Sequence, residues 1–200
     1  MRMRRFLLVA LLLVSCSPTG AAAPPSSTTS TTRPPTTTTS TTIPSTTTTE
    51  RQPFGVSSTS FKDGEPIPPE NTCDGADVSP ELDIVGIPAS TRSLAITVDD
   101  ADAPLGTWDH WVEFDIVSEA NFLEVPKDSG PIGSQGLNSW HLPGYQGPCP
   151  PEGEDHEYMF TVFALDTTLD LAAGVESALV YSAMEGHILA SAVLTGRYAR

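Results

Sequence analysis

Apolar residues along this chain fall into short runs of strand type, separated by turns rich in Gly, Pro, Asn and Asp. The densest run, residues 158–165, is almost wholly apolar, as expected of a central strand buried on both faces. Residues 94–99 form a second apolar run, which stops at Asp99, Asp100, Asp102 and Pro104. Beyond that acidic turn, residues 108–117 alternate, so an unbroken strand would put Trp108, His110, Val112, Phe114 and Ile116 on one face. Weaker strand patterns cover residues 56–61, 79–84 (ended by Gly86 and Pro88) and 192–198. Residues 176–190 have the helical period, with Val180, Ala183, Met184, His187 and Ile188 on one face. Residues 63–77 and most of 121–151 read as loop. The expected fold is mainly β: a two-sheet β-sandwich with a late peripheral helix and long loops.

The pattern changes at the N-terminus. Arg2, Arg4 and Arg5 precede nine apolar residues, 6–14. At 1.5 Å per residue these are too short for a bilayer core of ~30 Å, so the segment reads as an export signal and not a membrane helix. It ends Leu13-Val14-Ser15-Cys16, which resembles the bacterial lipobox and makes Cys16 the lipidation site. An ordinary signal peptide with a chance cysteine is the alternative. Residues 17–53 are almost entirely Thr, Ser and Pro, with too little to bury to offset the entropy of ordering. They form a disordered tether, reaching roughly 35 Å as a coil and at most ~115 Å as polyproline. The expected location is the outer face of a bacterial cytoplasmic membrane, with lipid as the anchor.

Residues 54–200 make one domain by length. They hold 24 acids against 5 bases (Lys62, Arg92, Lys127, Arg197, Arg200), a formal charge of −19. Nucleic acid and anionic lipid surfaces both call for clustered Lys and Arg, so neither is expected as a partner. With Cys16 acylated, Cys73 and Cys149 remain in an oxidising compartment, and a Cys73–Cys149 disulfide is the economical reading. The alternative makes Cys149 a nucleophile with His156 as its base.

Four histidines are candidates for chemistry. His187 falls on the apolar helix face, where a structural role is expected, and His141 sits beside Trp140 in a loop without evident chemistry. His110 and His156 each begin a strand, and His156 and Tyr158 share a strand face two residues apart. Just upstream, the segment from Gly144 to Pro151 is a stiff Gly/Pro loop that a ligand could approach closely. Asp100, His110 and His156 also have the composition of a two-His-one-carboxylate metal site, the alternative being a metal-dependent enzyme. A calcium loop is excluded, because Pro104 would occupy its third ligand position.

Several motifs in order carry a resemblance. Asp100-Ala101-Asp102-Ala103-Pro104, His110-Trp111-Val112, Gly144-Tyr145, Gly147-Pro148-Cys149-Pro150-Pro151, His156 and Tyr158 resemble the phosphatidylethanolamine-binding protein family, in its bacterial, Raf-kinase-inhibitor-like branch. Residues 183–190 and Gly196-Arg197-Tyr198 are similar to that branch too. The resemblance implies that family's β-sandwich and a pocket for small phosphate- or carboxylate-bearing ligands, without catalysis, cofactor or metal. It assigns the pocket to Asp100, Pro104, Trp108, His110, Gly147, Pro148, His156 and Tyr158. Three departures stand out. Ala101 replaces the family's proline between the two acids, and Glu157 replaces its usual arginine. Trp140-His141 stands where the branch carries Phe-Gly.

Overall fold

Along residues 155–165 every second side chain is hidden: His156, Tyr158, Phe160, Val162 and Ala164 are buried, while those between are exposed or half-buried. That alternation follows from strand geometry, and it separates a face turned to the core from a face turned outward. The computed structural model describes residues 52–200. The export signal, Cys16 and all but the last two residues of the tether lie outside the described residues. In chain order the strands are β1 (Gly55–Ser57), β2 (Glu65–Pro66), β3 (Leu82–Val85), β4 (Ser93–Asp100), β5 (Trp108–Ile116), β6 (Phe122–Val125), β7 (Ser134–Gln135), β8 (Asp155–Leu165) and β9 (Ile188–Ala199). Helix α1 (Ser177–Met184) lies between the last two.

A large sheet runs β2-β9-β8-β4-β5-β7 and a small one β1-β3-β6. Only β2 and β9 pair in parallel among these strands. Leu82, Ile84 and Val125 of the small sheet meet Leu94, Ile96, Val98, Trp111, Phe160 and Val162 of the large one in the main core. The opposite face of the large sheet packs Ala95, Val112, Phe114 and Leu165 beneath Val180 and Met184 of α1. At roughly 1.5–3 kcal/mol per buried large apolar side chain, these two layers supply most of the favourable energy of folding.

The expected face of β5 is corrected. Trp108, His110, Val112, Phe114 and Ile116 do not share one side, because the pairing with β4 slips twice. Val98 pairs with Trp111 but Asp99 with Asp109, which leaves His110 as an extra residue. Leu94 pairs with Ile116 but Ile96 with Glu113, and Asp115 in that second slip has φ +55°. Each slip is a bulge, which re-aims the side chains around it. Between the bulges Trp111 enters the inter-sheet core, and Val112 and Phe114 turn to the helix side.

The predicted helix is also shorter than its pattern. It ends at Met184, and Gly186 at φ +80° takes the left-handed conformation that stops a helix. His187 therefore lies outside the helix. It is half exposed, with Nδ1 2.8 Å from Asp166 Oδ1, and not on a buried apolar face. Ile188 instead opens β9 and is exposed. Residues 121–151 are not wholly loop, since they contain β6 and β7.

Candidate ligand-binding site

The candidate site lies at the end of the large sheet where β4 stops and β8 begins. There β4, β5 and β8 bring Asp100, Trp108 and Tyr158 side by side, with Asp100 paired to Trp108 on one flank and to Tyr158 on the other. Asp100 is 4% exposed, although it is an acid. Its Oδ2 accepts from His156 Nδ1 at 2.7 Å, and its Oδ1 accepts from the backbone N–H of Asp102 at 2.9 Å. Asp102 Oδ2 in turn accepts from the Glu157 N–H at 2.9 Å. These bonds hold the acidic turn around Ala101. Glu157 itself is exposed and pairs across the sheet with Arg197, so its side chain belongs to the outer face and not to the pocket.

His156 is buried, and its other nitrogen, Nε2, lies 2.9 Å from Glu154 Oε2. Ionised carboxylates only accept, so both ring nitrogens must donate and the ring is an imidazolium. Burial pushes its pKa down, but the bonds and charges of Asp100 and Glu154 outweigh that and hold it above the ordinary value. His110 is the opposite case. Its Nδ1 donates to the carbonyls of Gln146 at 2.7 Å and Gly147 at 3.2 Å, leaving Nε2 as the free nitrogen. Burial lowers its pKa despite those carbonyls and the charges of Asp100 and Asp77, so it is neutral near pH 7 with Nε2 accepting.

The bulge that aims His110 is pinned from the loop side, because the Gln146 N–H donates to the His110 carbonyl at 3.0 Å. Gly147 donates to Asp77 Oδ1 at 2.6 Å, and a Cβ there would sit 2.5 Å from the Asn71 carbonyl oxygen. Only glycine fits that approach. The Cys73–Cys149 disulfide, with the Cys73 N–H donating to the Pro148 carbonyl, fixes the rest of this loop to the early one. Cys149 is therefore no free nucleophile.

A cavity of about 350 Å³ opens between these elements. Asp100, Pro104, Trp108, His110 and His156 line it, together with Ala103, Leu105, Trp140 and the segment Cys149 to Pro151. Gly147, Pro148 and Tyr158 are not on its wall. The first two are buried in the loop that grips His110, and Tyr158 lies fully buried behind, its ring 5.2 Å from that of His110. The Tyr158 hydroxyl lies near Asp100 and the Cys149 backbone but meets hydrogen-bond geometry with neither, and Trp108 Nε1 is likewise buried without a partner. Trp140 stacks edge-on against both Trp108 and His110. His141 beside it has φ +58°, the conformation that the Gly of the usual Phe-Gly pair would adopt freely.

The three residues of the metal alternative do not converge on a common point. Asp100 and His156 bond each other, and His156 has no bare nitrogen to offer an ion. Among the described residues no group of three or more His, Cys, Asp and Glu side chains is arranged to hold one. On the opposite face, Asp99 and Asp109 stand paired across β4 and β5, and Tyr181 donates to Asp109 at 2.8 Å. Burial, then Asp109, then Asp100 push the Asp99 carboxyl up to about 6. Trp140, Leu105 and Glu154 were not assigned to the site from sequence. Glu154 stands two residues before His156, just ahead of β8.

Fold and cleft together define a β-sandwich binding protein with a small, largely apolar pocket at one sheet end. The family model for phosphatidylethanolamine-binding protein matches residues 57–199, and the chain belongs to that family. It is 48% identical over 150 residues to a UPF0098 protein of Methanothermobacter thermautotrophicus, covering 72% of this chain and 98% of the relative. A UPF0098 protein of Aquifex aeolicus is 45% identical over 152 residues, covering 72% of this chain and 88% of the relative. Among solved structures, a Chlamydia trachomatis phosphatidylethanolamine-binding protein homologue, CT736, aligns with a TM-score of 0.69 at 34% identity, over 74% of this chain and 97% of its own. Escherichia coli YbcL, described as a member of the mammalian family, gives 0.68 at 34%, over 74% of this chain and 98% of its own.

Proposed function

We propose that this domain is a binding module of the cell envelope, seating the phosphate or carboxylate group of a small ligand in the pocket beside His110. The observation that carries the reading is one unspent polar atom on the cavity wall. His110 lines the cavity with Nδ1 committed to the Gln146 and Gly147 carbonyls, which leaves Nε2 to a ligand among largely apolar walls. A polar atom left without a partner in such surroundings is costly, and a ligand that satisfies it recovers that cost. The charge of Asp100 is neutralised by His156, so it does not face the anion bare. An ammonium group on the same ligand would find its acceptors on the acidic turn.

Anion binding and protonation of His110 favour one another. Because burial lowers that pKa, affinity rises only as pH falls below the ordinary imidazole value of 6.5. Calorimetric titration of phosphoethanolamine should therefore give tighter binding at pH 5 than at pH 7.5. His110→Ala should flatten that rise and weaken binding at pH 5 by roughly 10- to 100-fold, the worth of one charge-assisted hydrogen bond. Equal affinity in both proteins, or no binding by the wild type at either pH, would refute the reading. In a body of charge −19, added salt screens repulsion of an anion, so affinity should hold as salt rises.

The envelope part of the proposal rests on Leu13 to Cys16 and on the Thr/Ser/Pro composition that follows. Acylation at Cys16 would hold the acidic domain at the end of a tether, clear of the lipid surface. Cys16→Ser should move the protein from the membrane fraction to the soluble one or leave it unprocessed. Unchanged fractionation and processing would remove the anchor from the account.

A further inference from the structure

His156 is the one cation in the pocket wall, and it has no donor to spare. Its Nδ1 is committed to Asp100 and its Nε2 to Glu154. The two carboxylates are held differently. Asp100 is buried, fixed by its strand and by the Asp102 N–H, and its side chain is only 5% exposed. Glu154 is 48% exposed, precedes the first residue of β8, and makes no other side-chain contact of hydrogen-bond length among the described residues. One carboxylate is part of the frame, and the other can swing into water by rotating its own side chain.

We propose that Glu154 is a resident competitor: its carboxylate occupies the anion seat on His156 Nε2, and a ligand gains the full site only by displacing it. The proposal rests on the anion-binding reading above and names what regulates selectivity there. A group tethered two residues from the imidazole acts at a high effective concentration. A ligand monocarboxylate would replace the Glu154 bond with an equivalent one and still lose its own translational freedom, so it gains nothing from the exchange. A phosphate monoester presents three oxygens. It can take His156 Nε2 with one and reach toward His110, which lines the same cavity, with another. The site thus favours phosphate monoesters over simple carboxylates, and Glu154 sets that preference.

The test titrates inorganic phosphate and acetate against wild type, Glu154→Gln, Glu157→Gln and His110→Ala, by calorimetry at pH 6 and fixed ionic strength. Glu157 lies on the same strand but faces outward, so Glu157→Gln removes an equal charge without touching His156. Glu154→Gln should bind phosphate about tenfold tighter, the order expected from freeing one charge-assisted donor, and should also bind acetate more tightly than wild type does. Glu157→Gln should match wild type. If Glu157→Gln tightens phosphate as much as Glu154→Gln does, the effect is one of general field and the proposal falls. Identical phosphate affinity in wild type and Glu154→Gln, with His110→Ala weakened, would overturn the competitor and leave the pocket reading standing. Absence of phosphate binding in all four proteins would overturn both.

Discussion

Replacing Cys73 and Cys149 with serine is expected to lower stability by about 4 kcal/mol, a fall in Tm of roughly 10–15 °C for a domain of this size. The bridge closes a loop whose ends are 76 residues apart in sequence, and cross-linking that distance removes much of the freedom of the unfolded chain. The loss should not be purely global. The same bridge fixes the loop whose carbonyls at Gln146 and Gly147 grip His110, so the pocket should loosen before the core melts. Thermal denaturation with and without reductant, alongside the double-serine variant, measures the first effect. The His110 imidazole resonances report the second. A shift of only a degree or two would mean the early and late loops hold each other without the bridge.

Asp100→Ala should cost about 3–5 kcal/mol, because it strands a buried imidazolium with one half-exposed partner. It also opens the acidic turn, since the Asp102 N–H loses its acceptor. The pH dependence separates the two losses. His156 has a folded pKa above its unfolded value, so its contribution is complete below about pH 6.5 and fades as pH rises through the folded value. The gap between wild type and Asp100→Ala should therefore be widest near pH 6 and narrow toward pH 9, where only the turn's share remains. Urea denaturation at the two pH values tests this. A gap that does not change with pH would mean His156 is not charged in the folded protein.

Much of this was legible in the sequence, for identifiable reasons. The strands at residues 94–99 and 158–165 were readable because both lie inside the large sheet and are apolar nearly throughout. The disulfide followed from a count of cysteines. His156 and Tyr158 could be placed together because a two-residue spacing fixes the face of an extended strand. β6 was missed because Phe122 is exposed and Glu124 interrupts an edge strand of four residues. The helix was overextended because Ile188, which opens β9, falls on the apolar period of α1, and the signal for the break between them is Gly186. Glu154 was passed over because an acid before a strand reads as solvated surface, and its bond to His156 exists only once the strand has formed. Nothing local announces the grip of Gln146 on His110, 36 residues away.

The two bulges of β5 behave like a pair of compensating frameshifts. From Trp108 to Ile116 the strand carries two surplus residues, His110 and one at the Asp115 slip, and its pairing with β4 is in phase at both ends only because both are present. Losing either alone would exchange the inward and outward sets over part of the strand, bringing Val112 where Trp111 belongs, a mismatch no core of this density absorbs. Losing both would restore the phase and spare the core, yet it would delete the pocket histidine. Within these nine residues, the instructions for the sheet and those for the pocket are therefore written in different letters, and the residue that serves the pocket is one the sheet could do without.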